Sequence, residues 1–184
     1  MCCTDKALAK HLMGQAGIPT PDFHAFKEHS ITVWDVASAL PGLQDQLGFP
    51  MVVKPAAGGS ALGVKFARSA DELPGAIVGA LSYDRKVLLE RYVPGRDLAV
   101  SVIEEPELRA LPVVEAVANE KDFYDFEARY AIGKTRFICP ADLDGALTEE
   151  AQQTALRAYR LLGCHGFARV DLMLAAEDSQ ISVI

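Results

Sequence analysis

The chain has 184 residues, half of them apolar and 23% charged, an ordinary globular composition long enough for one sizeable core or two small lobes. A net charge of −7 excludes a general binder of nucleic acid or anionic membrane, and no uncharged apolar segment is long enough to span a bilayer. Four cysteines without C-x-x-C spacing and four histidines without zinc-ligand spacing point to reduced thiols in a cytosolic protein rather than to a disulfide or zinc framework, and no secretory leader follows Met1.

In chain order, Thr4 is placed as the N-cap of a first helix running through Met13, with Gly14 or Gly17 as its stop. Ile18-Pro19-Thr20-Pro21 forces an extended exit, because each proline excludes the helical region for the residue before it. A short strand follows near Phe23 to Phe26, then a helix over Val33 to Leu40 punctuated by Pro41-Gly42. Val52 to Lys54 and Gly63 to Ala67 read as strands joined by a glycine loop. Ser69 to Leu81 reads as a helix with Ser69 as N-cap and acids in its first turn. Strands are expected at Val87 to Val93, Leu98 to Ile103 and Leu111 to Val117, followed by a polar, aromatic functional loop over Asn119 to Tyr130. Thr148 to Leu162 is a helix stopped by Gly163, and Gly166 to Leu174 and Ile181 to Ile184 close the chain as a pair of strands. Helices and strands alternate early and strands cluster late, which predicts two α+β lobes rather than a doubly wound sheet. The last strand stops at Ile184, so the chain reads as a fragment of something longer.

The segment Met51-Val52-Val53-Lys54-Pro55-Ala56-Ala57-Gly58-Gly59-Ser60-Ala61-Leu62-Gly63-Val64 carries the strongest chemical signal. A lysine at the end of an apolar strand can place a charge on phosphate oxygens. The glycines that follow let backbone N–H groups approach the same oxygens with no Cβ between. A plain hairpin turn is the alternative for the loop taken alone. Arg169 and Asp171 lie two apart on a strand and so share one face; a simple surface ion pair is equally compatible with that spacing.

The order of motifs resembles the ATP-grasp core of the D-alanine–D-alanine ligase family. It begins with Asp5-Lys6, Gly17-Ile18-Pro19-Thr20-Pro21, Val53-Lys54-Pro55 and Gly59-Ser60-Ala61-Leu62-Gly63. It continues through the stretch from Leu88 to Asp97, that from Phe123 to Tyr130, and Cys139-Pro140-Ala141, and ends with the run from Gly163 to Asp171. The resemblance implies an α+β ATP-grasp fold, with two lobes gripping ATP between antiparallel sheets and an incomplete C-terminal end. Residues 1–93 would form the smaller lobe and 94–184 the larger.

It further implies that Lys6, Lys54 and Arg129 contact ATP phosphates, that Gly59, Ser60 and Gly63 form a lid over them, and that Glu90, Arg91, Tyr92 and Val93 hold adenine. Asp97 would take the ribose hydroxyls, Asp171 would be a magnesium carboxylate, and Arg169, Ser60 and Tyr130 would serve catalysis. The plainer alternatives are a solvated lysine for Lys6, an exposed strand-end acid for Glu90, a packed core aromatic for Tyr92 and a solvated charged loop around Arg129. Lys10, on a helix rather than a phosphate-facing strand, is the contrast to Lys54.

The family's second serine, glutamate and lysine are replaced here by Ala61, Asp97 and Arg129. The implied reaction joins two D-alanines at the expense of ATP, with Mg²⁺ or Mn²⁺, in a cytoplasmic homodimer serving peptidoglycan synthesis, with no nucleic-acid or membrane partner. A D-serine- or D-lactate-accepting ligase and a non-catalytic nucleotide-binding module are the alternatives. The truncated chain by itself is expected to be inactive.

Overall fold

The computed structural model describes residues 2–29, 36–118 and 135–184. The predicted polar loop, with Arg129 and Tyr130, and the start of the predicted helix at Val33 lie outside the described residues. Two compact units divide the chain: one holds the residues up to Leu8 with Pro21–Tyr92, the other Ala9–Thr20 with Val93–Ile184.

The first unit is built on a four-stranded antiparallel sheet of β1 (Phe23–Lys27), β2 (Met51–Pro55), β3 (Lys65–Ala67) and β4 (Lys86–Arg91), in the order β1-β4-β2-β3. Met51, Val53, Ala67, Val87 and Leu89 point from the sheet into one cluster. Leu43 and Leu47 of α2 (Val36–Leu47) and Leu73, Ala76, Ile77 and Ala80 of α3 (Leu73–Leu81) fill it. Strand alternation sends Val52, Lys54, Phe66, Leu88 and Glu90 to the opposite face, since Val52 pairs with both Phe66 and Glu90, and Lys54 with Leu88.

The second unit holds β5 (Gly95–Ile103), β6 (Arg109–Ala110), β7 (Val114–Ala118), β8 (Thr135–Ile138), β9 (Phe167–Ala175) and β10 (Ile181–Val183). They pair in the order β10-β9-β5-β7-β8, with β6 on β5. Leu98, Val100, Val102, Leu172 and Leu174 form its core with Ala151, Ala155, Ala158 and Tyr159 of α4 (Gly145–Leu161) and with Ala9 and Met13 of α1 (Lys6–Gln15). Helix α1 thus begins in the first unit and ends in the second.

Several predicted boundaries need correction. Asp5, not Thr4, caps α1: its Oδ1 accepts from the Leu8 amide at 3.1 Å, while Cys2–Thr4 form a 3-10 turn. Gly17, with φ of 64°, is the stop, and the Ile18 amide returns to the Met13 carbonyl at 2.9 Å. Pro41 does not punctuate α2 but lies inside it. The helix forfeits one backbone hydrogen bond there, offset by burial of Leu43 and Leu47, and ends at Gly48 with φ of 69°.

Helix α3 starts at Leu73, because Pro74 favours a first-turn position and Ser69–Glu72 is taken up by a turn. The expected strand over Leu111 to Val117 begins only at Val114, as β7, since Pro112 interrupts the ladder; the two-residue β6 lies before it. Helix α4 begins three residues before Thr148, capped by Asp144 accepting from the Leu147 amide at 2.8 Å.

Candidate nucleotide-binding residues

In the first unit, Lys54 leaves β2 on the face away from the helices and meets Glu90 across the β2–β4 pairing. Its Nζ lies 2.5 Å from Glu90 Oε1, with the two side chains 12% and 3% exposed. Glu90 is therefore a buried acid, not an exposed strand-end one. On the same face Phe66 meets Tyr92 edge to face, ring centroids 5.9 Å apart. Burial raises the Tyr92 hydroxyl above the usual tyrosine value. The sheet face thus offers an aromatic corner beside a buried ion pair. No sequence motif marks Phe66; only the β2–β3 register, which pairs it with Val52, brings it to this face. The Arg91 amide donates to the Asp22 carbonyl at 2.9 Å, and its guanidinium reaches Asp22 Oδ2 at 3.2 Å and the Gln46 carbonyl.

Lys6 is half-buried, not freely solvated. Its Nζ donates to the Pro55 carbonyl at 3.1 Å and to the Gly58 carbonyl at 2.9 Å, at the root of the glycine loop. Burial and then the neighbouring Lys54 ammonium push its amine below the ordinary lysine value, while Asp84, Asp5 and Glu90 pull the other way. Lys6 donates to the Pro55 and Gly58 carbonyls just past Lys54 at the end of β2, so two cations flank the loop root, an arrangement that an anion relieves.

The loop itself is exposed at Gly58, Gly59 and Ser60. Gly58 and Gly63 take φ of 94° and 73°, and Ser60 and Ala61 both sit at 57°, a left-handed conformation that costs non-glycine residues energy. Two tight turns, Leu62 amide to Gly59 carbonyl at 3.2 Å and Val64 amide to Ala61 carbonyl at 3.1 Å, shape it.

In the second unit, Arg169 and Asp171 sit on one face of β9, on the side opposite the core residues Leu172 and Leu174. Their side chains form a forked pair, Nε to Oδ1 at 2.7 Å and a second guanidinium nitrogen to Oδ2 at 3.1 Å, 56% and 24% exposed. The register opposes Ala99 to Asp171 and Asp97 to Met173, so half-buried Asp97 shares that face. Val93 belongs to this unit and is half-buried.

A different pair, Arg96 with Glu115, lies on the core side of the sheet. Arg96 donates to both carboxylate oxygens, at 2.7 and 2.6 Å, and to the Asp142 carbonyl at 2.9 Å. That pairing holds the Glu115 carboxyl below its usual range. Lys10 is also not a surface residue: it is 3% exposed and donates to Thr20 Oγ1, which in turn donates to the Val183 carbonyl of β10.

The described residues contain no group of three or more metal-ligating side chains. A half-buried carboxylate such as Asp171 still suits Mg²⁺, which keeps several waters and is held by one or two carboxylates together with a substrate's phosphates.

Two antiparallel α+β units carrying these groups define the ATP-grasp class of fold. The chain matches the family described as D-ala D-ala ligase C-terminus over residues 12–183, and it belongs to that family. It is 38% identical over 177 residues to the D-alanine–D-alanine ligase of Synechococcus sp. strain JA-3-3Ab, covering 95% of this chain and 51% of that protein. It is 37% identical over 179 residues to the corresponding enzyme of Gloeobacter violaceus, covering 94% and 55%.

Among solved structures, the VanG D-Ala:D-Ser ligase of Enterococcus faecalis superposes with a TM-score of 0.81 at 28% identity, covering 98% of this chain and 51% of that one. The D-alanine–D-alanine ligase of Bacillus anthracis superposes at 0.77 and 31%, covering 99% and 55%. The chain spans about half the length of the curated relatives it matches.

Proposed function

We propose that this chain is the ATP-using part of a D-alanine–D-alanine ligase, an enzyme that joins two D-alanines with hydrolysis of ATP to ADP and phosphate. The observation that carries the reading is the Lys54–Glu90 pair beside Lys6, the glycine loop and the Phe66–Tyr92 corner, in a chain of this family. In this proposal a carboxylate oxygen of the first D-alanine attacks the γ-phosphorus, ADP leaves, and an acyl phosphate forms. The amine of the second D-alanine then attacks the acyl carbon and phosphate departs.

Catalysis of that kind is mainly positioning and charge neutralisation. Lys6 and Lys54 supply cations to the phosphates, with Arg129 assigned the same role from the sequence. Backbone groups of Gly59 and Gly63 and the Ser60 hydroxyl cover them. Glu90, Arg91, Tyr92 and Val93 hold the base, and Asp97 the ribose. Arg169 stabilises charge on the transferring phosphoryl group and on the oxyanion of the second step, with Ser60 and Tyr130 assisting. Asp171 would hold Mg²⁺ or Mn²⁺, which when bound would neutralise phosphate charge.

The same proposal takes 1–93 and 94–184 as the smaller and larger lobes, with the stretch Ala9–Thr20 packing in the second unit. It places the full-length enzyme in the cytoplasm as a homodimer feeding peptidoglycan synthesis; no helix among the described residues is long and apolar enough to cross a membrane. The test is product formation by the complete gene product with ATP, Mg²⁺ and D-alanine, with D-serine and D-lactate offered as rival acceptors. D-Ala-D-Ala and ADP in equal amounts are expected; ADP release that no acceptor stimulates would overturn the assignment.

A further inference from the structure

The turn between α3 and β4 touches both ends of the glycine loop. At the entry, Asp84 Oδ2 accepts from the Ala57 amide at 2.7 Å. The same root is tied by the Lys6 amine, by the Ala56 amide to the Lys86 carbonyl at 2.8 Å and by the Lys6 amide to the Ala56 carbonyl at 2.9 Å. At the exit, the Tyr83 ring lies so close to Gly63 that a Cβ there would come 2.5 Å from Tyr83 Cδ2 and 2.8 Å from Pro55 Cγ. Tyr83 is otherwise an unexplained exposed aromatic. Both residues are fixed from behind, since the Tyr83 and Asp84 amides return to the Ala80 carbonyl at 3.1 and 3.4 Å.

We infer that Tyr83 and Asp84 are positioning residues for the phosphate loop: one turn braces both of its roots, so that the exposed tip at Gly58 to Ser60 moves between fixed ends. The carboxylate supplies a charge-assisted bond to one root. The ring supplies a shelf that only a glycine can sit against at the other, where φ of 73° demands glycine as well. The brace holds the left-handed Ser60–Ala61 conformation, which the loop's own two turns would hold less firmly alone. This deepens the ATP reading and rests on it for the identity of the ligand.

The experiment is amide hydrogen exchange over residues 57–63 in the nucleotide-free chain, with a fluorescent ATP analogue and Mg²⁺ titrated in parallel. Asp84→Ala is expected to speed exchange at Ala57 and across the loop by about tenfold or more. It is expected to weaken the analogue by about five- to tenfold through lost preorganisation. Asp84→Asn keeps an acceptor oxygen and should restore both to within about twofold of wild type. Tyr83→Ala should speed exchange around Gly63, and Tyr83→Phe should not.

Exchange in Asp84→Ala equal to wild type would overturn the inference. So would faster exchange spread evenly over the whole unit with a lowered melting temperature, the mark of a merely structural role. If the wild-type chain takes up no analogue, the ATP reading fails, and the exchange contrast still decides the brace.

Discussion

The two units each present a cation–carboxylate pair on a sheet face, and the two pairs live in opposite surroundings. Lys54–Glu90 is almost wholly buried, whereas the Arg169–Asp171 fork leaves more than half of the arginine open to water. A buried pair is held tightly because losing either partner strands the other charge in a poor dielectric. An exposed pair is worth little and opens readily. Lys54 and Glu90 thus behave as architecture, and Arg169 and Asp171 as a pair that parts at small cost; the proposed function uses that difference, with phosphate and metal as the groups that would compete for the open pair.

The sharpest way to break this contrast is to truncate the lysine. Lys54→Ala should lower stability by about 3–5 kcal/mol, since Glu90 is left buried and uncompensated, and should abolish nucleotide binding. The double change Lys54→Met with Glu90→Gln should recover most of the stability without recovering binding, as denaturant melts alongside analogue titrations would show. A melt of Lys54→Ala indistinguishable from wild type would erase the distinction between the pairs. Next in size, Asp171→Asn should leave stability within about 1 kcal/mol, yet remove the Mg²⁺-dependent part of nucleotide affinity.

The smallest effect is a pH dependence from the third pair. Glu115 is held below the usual carboxylate range, chiefly by the hydrogen bonds from Arg96. Its stabilisation is therefore complete above the unfolded carboxyl pKa and fades as pH falls through the lower folded value. Glu115→Gln should flatten that acid limb of the stability curve and leave nucleotide titrations alone. A limb of unchanged slope would remove Glu115 from the account.

The sequence made the local parts of this picture legible. The Arg169-x-Asp171 spacing on a strand placed both side chains on one face, and register confirms it. The lysine closing an apolar strand before a glycine loop lies one residue before the end of β2, at Pro55. What stayed illegible depends on distant partners. Lys54 and Glu90 are 36 residues apart, and only the β2–β4 register joins them. Lys10 looked like an ordinary helix lysine, but the fold buries it against Thr20, so it is no neutral contrast to Lys54. Pro41 looked like a stop because the cost of a lost hydrogen bond is visible in sequence and the burial of Leu43 and Leu47 is not. Asp84 and Tyr83 belong to no motif; only the folded chain brings their turn to the loop's two roots.

The most direct test of the central claim is a titration of the chain with a non-hydrolysable ATP analogue, with and without Mg²⁺, in wild type and Asp171→Asn. Mg²⁺ is expected to tighten binding markedly in wild type and to have no effect in the variant, while both bind the analogue equally well without metal. An equal gain from Mg²⁺ in both proteins would contradict the account.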